Sequence, residues 1–476
     1  MRDDMDSVDG DSGFGQFCLG DIRLDRRVVD LLTAFISKPF ATISATLKSP
    51  SAIKAAYRFF GNKVVTREKL LDAHTKWVAQ CCDAERVVLS IQDTTSANYS
   101  THRATDGLGH IGSSKVREPA KGVFVHTALA VNTNGTPIGV LDQQIWSRVS
   151  VNSDGRNARK IRLRGTTLEA KESYRWISTM ESTRARLKES TSIINVCDRE
   201  SDIYEFMDRS LKQNSSFIIR AKSERKLRYD ESDDEISLLS ESFAETKAIA
   251  HETVEIMGNG DRQSRRAKIS IVSRRIFLDP PERQKLAGKL DPLEVTAIHV
   301  VESEATGDGE RISWLLLTDL QVLDSESAKK IVRWYSFRWR IEEFHKVLKS
   351  GCNIEASRLG TAEKLSKVIT LKSIAAFRIC QLTYLAREQP EESAEISLSK
   401  SEWKSAFLQL NGSTKPLPKK PPTLHEAVRW IAQLGGFTGR KNQNPGITTL
   451  WRGWQTLSIS IDTWKSLSDA GLATYG

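Results

Sequence analysis

The sequence predicts an α/β fold, a mixed β-sheet with helical segments before and after it. Three observations carry that expectation. Residues 20–80 place apolar side chains at helical spacing. Short β-rich runs follow and, from about residue 166, alternate with helical stretches. Beyond residue 326 the pattern is helical again, broken by a Pro- and Lys-rich segment at 415–422.

Each element has its own signal. Leu31, Leu32, Phe35 and Ile36 define an apolar helix face after the basic run Arg23, Arg26, Arg27. A second helix is predicted over 52–60, stopped by Gly61-Asn62. Residues 86–91, 123–131 and 138–146 read as three successive strands, the last two joined by the turn signal Asn134-Gly135. Three strands in a row predict an antiparallel meander. A helix over about 166–189, a buried strand at 193–197, a helix from about 201 and a strand at 217–220 follow. The stretch 225–320 is mostly strand, with candidates at 269–272, 295–301 and 314–317 between polar loops. One long amphipathic helix is predicted over about 326–350.

Bulk properties narrow the function. A chain of 476 residues exceeds one core, and two to four domains are expected. Lys plus Arg number 70 against 60 Asp plus Glu, a net charge of +10. That excess points modestly to a polyanionic partner, and on charge alone a basic soluble enzyme is an equal reading. The six cysteines form no CxxC pair and have no His cluster beside them, which argues against zinc and against a disulfide framework. Reduced thiols in a cytosol fit best. No run approaches the roughly 18 apolar residues of a membrane span. The acidic residues 1–13 read as a disordered lead-in and not as a secretory signal.

Candidate chemistry rests on carboxylates. Asp93 and Asp198 each stand just past a predicted strand, where side chains of neighbouring strands can converge on one crevice. Alone, such an aspartate is more often a turn former, and Asp198 could simply cap the helix starting near Ser201. The segment 331–349 says more. Trp334, Phe337, Ile341, Phe344 and Leu348 form an apolar stripe. Tyr335, Arg338, Glu342 and Lys349 fall within an arc of roughly 60° beside it. Glu343 lies about 100° round from Glu342 and is expected to face solvent. Glu342 is therefore the candidate ligand, with Arg338 and Lys349 placed to grip phosphates. A helix decorated with i,i+4 ion pairs is the competing reading. The interleaving of Trp334, Tyr335, Arg338, Trp339 and Arg340 favours nucleic acid. Three hard oxygen ligands suit Mg²⁺ or Mn²⁺ better than zinc. Two such ions about 4 Å apart support phosphodiester hydrolysis and strand transfer. No nucleophilic Ser or Cys triad and no Walker-type glycine loop is evident.

These residues also carry a resemblance. Tyr335, Arg338, Glu342 and Lys349 meet the spacing Tyr-x2-Arg-x3-Glu-x6-Lys, the YREK signature. Ile91-Gln-Asp-Thr-Thr-Ser96 and Val196-Cys-Asp-Arg-Glu200 resemble the segments of the first and second catalytic aspartates. The chain resembles the bacterial DDE cut-and-paste transposases of the insertion-sequence-four family, Tn-five type. Gly20-Asp21 with the following arginines, and Ala56-Tyr-Arg-Phe59, are similar to the end-binding domain. Leu434-Gly-Gly-Phe437 and Leu450-Trp-x2-Trp454 are similar to the dimerisation region. The N-terminal segment matches loosely outside these motifs, and the C-terminal linker differs.

The resemblance implies a helical transposon-end-binding domain over 1–75, an RNase H-like catalytic domain over 76–360 with a β-rich insertion at about 225–320, and a helical dimerisation domain over 361–476. It implies Asp93, Asp198 and Glu342 as the catalytic metal ligands, with two Mg²⁺ per site and Mn²⁺ as a substitute. It assigns DNA contacts to Tyr335, Arg338, Lys349 and Trp339, to Arg23, Arg26, Arg27 and Arg58, and to Arg220 with Lys222, Arg225 and Lys226. Trp314 would hold a flipped base, although a strand-core role is its reading from sequence alone. The implied partners are transposon-end double-stranded DNA, target DNA and a second copy of the chain in a synaptic complex, with no membrane. The implied location is the bacterial cytoplasm, at the nucleoid. The implied chemistry is nicking, a hairpin on the transposon end, hairpin opening and insertion. Two alternatives are a catalytically silent DNA-binding regulator and an RNase H-like nuclease without strand transfer. The complete triad argues against the first, and Tyr335, Arg338 and Lys349 argue against the second.

Overall fold

The computed structural model describes residues 15–47, 49–112, 120–148, 166–230, 236–243, 246–256, 265–282, 290–303, 311–412, 415–439 and 443–471. The lead-in expected at 1–13 lies outside them. The chain forms two compact units. One comprises residues 1–81, 94–152 and 340–476, the other 82–93 and 153–339. The chain therefore passes between units after residues 81, 93, 152 and 339.

Twelve strands occur among the described residues: β1 (Val87–Asn98), β2 (Gly109–His110), β3 (Lys121–Val131), β4 (Pro137–Trp146), β5 (Ser192–Cys197), β6 (Ser216–Arg220), β7 (Lys226–Arg228), β8 (Ser237–Leu238), β9 (Ala250–Ile256), β10 (Arg265–Leu278), β11 (Leu293–Glu302) and β12 (Ser313–Thr318).

The first unit opens with helices Ile22–Ser37, Ile43–Thr46, Pro50–Gly61 and Arg67–Cys82. Their starts follow from capping. Asp21 accepts the N–H of Arg23, Thr42 that of Ala45, and Ser49 that of Ala52 ahead of Pro50. The predicted face of Leu31, Leu32, Phe35 and Ile36 is buried. β3 and β4 pair antiparallel around the predicted turn, where Gly135 takes φ 94° and Asn132 Oδ1 accepts the N–H groups of Asn134 and Thr136. β3 lies beside the outer end of β1, and the two-residue β2 joins its other side.

Helix Ala362–Glu388 runs through this unit. It is long and apolar enough to cross a membrane, but 83% of its apolar window is buried inside the fold, as in a core helix. Two lysines on it point inward. Lys367 Nζ donates to the carbonyls of Phe60 and Asn62, both at 3.2 Å. Lys372 Nζ donates to Ala41 at 2.9 Å and Cys352 at 2.6 Å, and burial depresses its pKa to about 8. Helices Lys400–Asn411, Leu424–Leu434 and Ile447–Asp469 complete the unit. Gly435 and Gly453 let the last two approach closely, since a Cβ on Gly453 would collide with the Ile431 carbonyl.

In the second unit the first residues of β1, then β5 and β6, run parallel. β12 joins β6 antiparallel, followed by β11 and β10, with β9 and β7 both pairing with β10. Trp176, Phe206, Phe217, Ile219, Leu278, Val295 and Leu317 belong to one buried cluster between this sheet and helices Tyr174–Arg186 and Tyr204–Lys212. The strand-rich reading of 225–320 agrees with β7 to β12. The helix expected over 166–189 is shorter, Tyr174–Arg186.

The helix expected as one piece over 326–350 is three. Ser325–Ser336 ends where the N–H groups of Phe337 and Arg338 bond three residues back, a tightened turn that interrupts the i→i−4 ladder. Trp339–Lys346 follows, and then a π-helical turn at Val347–Gly351. The stretch therefore lacks the uninterrupted 3.6-residue periodicity from which the arc of Tyr335, Arg338, Glu342 and Lys349 is drawn.

Candidate metal and nucleic-acid site

The parallel strands of the second unit align the two aspartates. Val87 pairs with Ser192 and Ile91 with Val196, an offset of 105 that Asp93 and Asp198 share. Both therefore stand on one face, above the buried Leu89, Ile91, Ile194 and Val196. Asp93 lies within β1, which continues to Asn98 and does not stop near Ile91 as the sequence indicated. On the opposite face, Gln92 donates to Asn195 at 3.1 Å and ties the same two strands together.

Asp198 caps a turn, one of the two readings the sequence left open. It ends β5, and its Oδ1 accepts the Glu200 N–H at 2.8 Å, capping the 3₁₀ turn Arg199–Ser201. Burial raises its pKa, the Glu200 N–H opposes that, and the Asp93 charge raises it further. Arg338 supplies the opposing positive field.

The next strand extends the row. Ile194 pairs with Ser216 and Cys197 with Ile219, an offset of 22 that puts Arg220 beside Asp198. Arg220 donates to the Ser313 carbonyl at 3.1 Å. Its pKa falls mainly through burial, with Arg199 and Arg338 adding like charge, while a hydrogen bond with Tyr335 works the other way. The Tyr335 phenol is buried and pushed up by that burial. The Trp314 ring meets Tyr335 edge-on, with centroids 5.3 Å apart. The second unit thus gathers Asp93, Asp198, Arg220, Tyr335, Arg338 and Trp314 at one end of its parallel strands. Arg199, which the sequence reading passed over, joins them; its adjacency to Asp198 was the available signal.

Arg199 and Arg338 both repel the Arg220 guanidinium, and an external anion such as a phosphate relieves that repulsion. Two carboxylates on one face, with the Asp93 charge raising the Asp198 pKa, fit a hard divalent cation, whose charge would remove the penalty. Among the described residues, no group of three His, Cys, Asp or Glu side chains is gathered closely enough to hold a metal.

The remaining predicted residues fall on other elements. Trp339 begins the helix Trp339–Lys346, and Glu342 sits half-buried in its first turn. Lys349 lies in the π-helical turn, with Nζ 4.0 Å from Glu355, whose carboxylate also accepts the Asn98 N–H. Arg23 and Arg26 are exposed in the first helix, Arg23 pairing with Asp21 at 3.0 Å and Arg27 with Asp30 at 3.9 Å. Arg58 is exposed in the last turn of Pro50–Gly61, near Lys54 and Tyr57 on its outer face.

Two expectations are corrected. Glu343 does not face solvent. It is 8% exposed and accepts a hydrogen bond from the Tyr384 hydroxyl, because helix Ala362–Glu388 covers the face that an isolated amphipathic helix would leave wet. Arg225 does not stand ready for a DNA backbone, whereas Lys226 makes only an exposed ion pair. Arg225 is paired with the buried Asp202, and Lys226 with Glu282 at 2.9 Å. Lys222 remains exposed.

Three family matches cover most of the chain. Residues 11–65 match the family described as transposase DNA-binding, residues 147–378 the transposase DDE domain, and residues 374–470 the transposase Tn5 dimerisation domain. The DDE domain implies an RNase H-like fold, and the mixed sheet with flanking helices has that character.

Proposed function

We propose that this chain, a DNA transposase by its DNA-binding, DDE and dimerisation domains, cuts and rejoins transposon ends with Asp93, Asp198 and Glu342 as its metal ligands. DDE transposases use divalent metal ions; two Mg²⁺, replaceable by Mn²⁺, are proposed here. The observation that carries the reading is the row Asp93, Asp198, Arg220 across three neighbouring parallel strands, with Arg338 and Tyr335 beside it. Glu342 enters through its place in the YREK spacing, which also supports the insertion-sequence-four, Tn-five-type assignment. When bound, the ions would supply an activated water or 3′-hydroxyl and stabilise the leaving oxygen.

The protein's own groups do the rest. Arg220, Arg338 and Lys349 hold phosphate oxygens and fix the scissile bond. Tyr335 positions the arginines by hydrogen bonding. Arg23, Arg26, Arg27 and Arg58 contact the transposon end within a domain over 1–75. Residues 76–360 form the catalytic domain, and 361–476 pair two copies in a synaptic complex that then captures target DNA. The strand-rich stretch 225–320 is read as an insertion in the catalytic core. Trp314 and Trp339 support a hairpin intermediate, Trp314 by stacking an unpaired base. The setting is the bacterial cytoplasm, at the nucleoid.

Incubating the protein with DNA bearing its element's terminal repeats, with Mg²⁺ or EDTA, tests this reading. Metal-dependent double-strand cleavage through a hairpin is expected, and Trp314→Ala should impair the hairpin step more than the first nick. Nicking without any hairpin or joined product would leave a nuclease instead. Binding without cleavage would leave a silent regulator.

A further inference from the structure

Helix Trp339–Lys346 has eight residues, and its backbone ladder is interrupted on both sides, by the turn at Phe337–Arg338 and by the π-helical turn. Its rotational setting therefore cannot be inherited from a neighbouring helix. Ile341 and Phe344 bury one side, but apolar contacts tolerate small rotations. Directional polar contacts tolerate them less.

Such contacts are present one residue from Glu342. Arg340 Nε donates to the Gly135 carbonyl at 3.1 Å, in the turn between β3 and β4. Arg340 also donates to the Tyr384 hydroxyl at 3.0 Å, and that hydroxyl donates to Glu343. The Arg340 guanidinium lies 3.9 Å from the centroid of the Tyr384 ring and 3.8 Å from the Glu343 carboxylate. Arg387 packs against the same ring at 4.8 Å and donates to the Pro445 carbonyl at 2.8 Å. Helix, turn and long helix are thus joined by a buried chain of charge-assisted bonds.

We propose that Glu343, held by Tyr384 and Arg340, is a positioning residue that fixes the rotation of this helix and thereby the direction of the Glu342 carboxylate. The proposal rests on the reading of Glu342 as a metal ligand. A side-chain terminus sits about 5–6 Å from a helix axis, so a rotation of about 10° moves it about 1 Å. A misplacement of about 1 Å in a catalytic constellation costs up to about 100-fold in rate. Adjacent glutamates thus divide the work, one buried as an anchor and one directed about 100° away from it.

Tyr384→Phe is the test, because it keeps the ring between the two guanidiniums and removes both hydroxyl bonds. On the full chain, four quantities are measured: Mn²⁺ affinity from the electron paramagnetic resonance signal of free Mn²⁺, end-DNA cleavage rate, end-DNA binding, and thermal unfolding. Mn²⁺ binding about 10-fold weaker and cleavage 10- to 100-fold slower are expected, with end-DNA binding and melting temperature close to wild type. Glu343→Gln should move the same two readouts in the same direction. Wild-type Mn²⁺ affinity and cleavage in a folded Tyr384→Phe protein would overturn the proposal. So would losses that only track the unfolded fraction. Glu342→Gln run alongside separates the two readings: its full activity would sink the ligand assignment, whereas its inactivity beside a fully active Tyr384→Phe would sink the positioning role alone.

Discussion

His74 makes the first unit acid-labile in a way that can be calculated. The imidazole is fully buried on helix Arg67–Cys82, with Trp77 and Phe377 rings at 5.8 and 5.6 Å. Its Nε2 accepts the Val140 N–H at 3.2 Å, a role open only to the neutral ring. Burial depresses its pKa from 6.5 to about 3. The unfolded chain therefore binds a proton below pH 6.5 that the folded chain refuses until about pH 3. Stability contributed by neutral His74 is whole above pH 6.5 and is lost as pH falls from there toward 3. At pH 4 the linkage amounts to about 3 kcal/mol, a large fraction of a typical domain's stability. Urea unfolding followed by tryptophan fluorescence at pH 7.5, 6, 5 and 4 measures it, with Trp77 as a nearby reporter. His74→Gln should be less stable than wild type at pH 7.5, yet lose about 3 kcal/mol less on going to pH 4. Parallel pH curves for the two proteins would refute a neutral, unprotonatable His74.

Other outcomes follow from the same structure. Arg220→Ala should weaken end-DNA binding and reduce the slope of log affinity against log salt by about 0.9, the signature of one phosphate contact; an unchanged slope would return Arg220 to a purely structural role. Gly453→Ala should lower the melting temperature and shift the monomer–dimer balance seen by analytical ultracentrifugation toward monomer, because the new methyl meets the Ile431 carbonyl of the neighbouring helix. Wild-type melting and assembly would show that these helices can part at no cost.

The strands were legible because their signals are local. The apolar runs, the Asn134-Gly135 turn and the capping residues all act within a few positions; β3, β4, β5 and β6 appear where the sequence places them, and β1 starts there but runs on to Asn98. Asp198 was ambiguous for a physical reason: a carboxylate that ends a strand and caps the next turn uses the same local geometry for both. What could not be read was set by distant chain. Glu343 is buried by the separate helix Ala362–Glu388, and Arg225 is claimed by Asp202, so neither fate is encoded in its neighbours. The breaks at Phe337–Arg338 and Val347–Gly351 also left no mark in the hydrophobic stripe, which stays apolar across them. The alignment of Asp93, Asp198 and Arg220 needed the strand register, which sequence periodicity does not supply.

The proposed function requires Asp198 to hold a catalytic metal. Asp198→Cys replaces a hard oxygen with a sulfur that Mg²⁺ binds poorly and softer Mn²⁺ binds better. Cleavage of terminal-repeat DNA by this variant should be abolished in Mg²⁺ and partly restored in Mn²⁺, with DNA binding intact in both. Undiminished cleavage in Mg²⁺ would contradict the account.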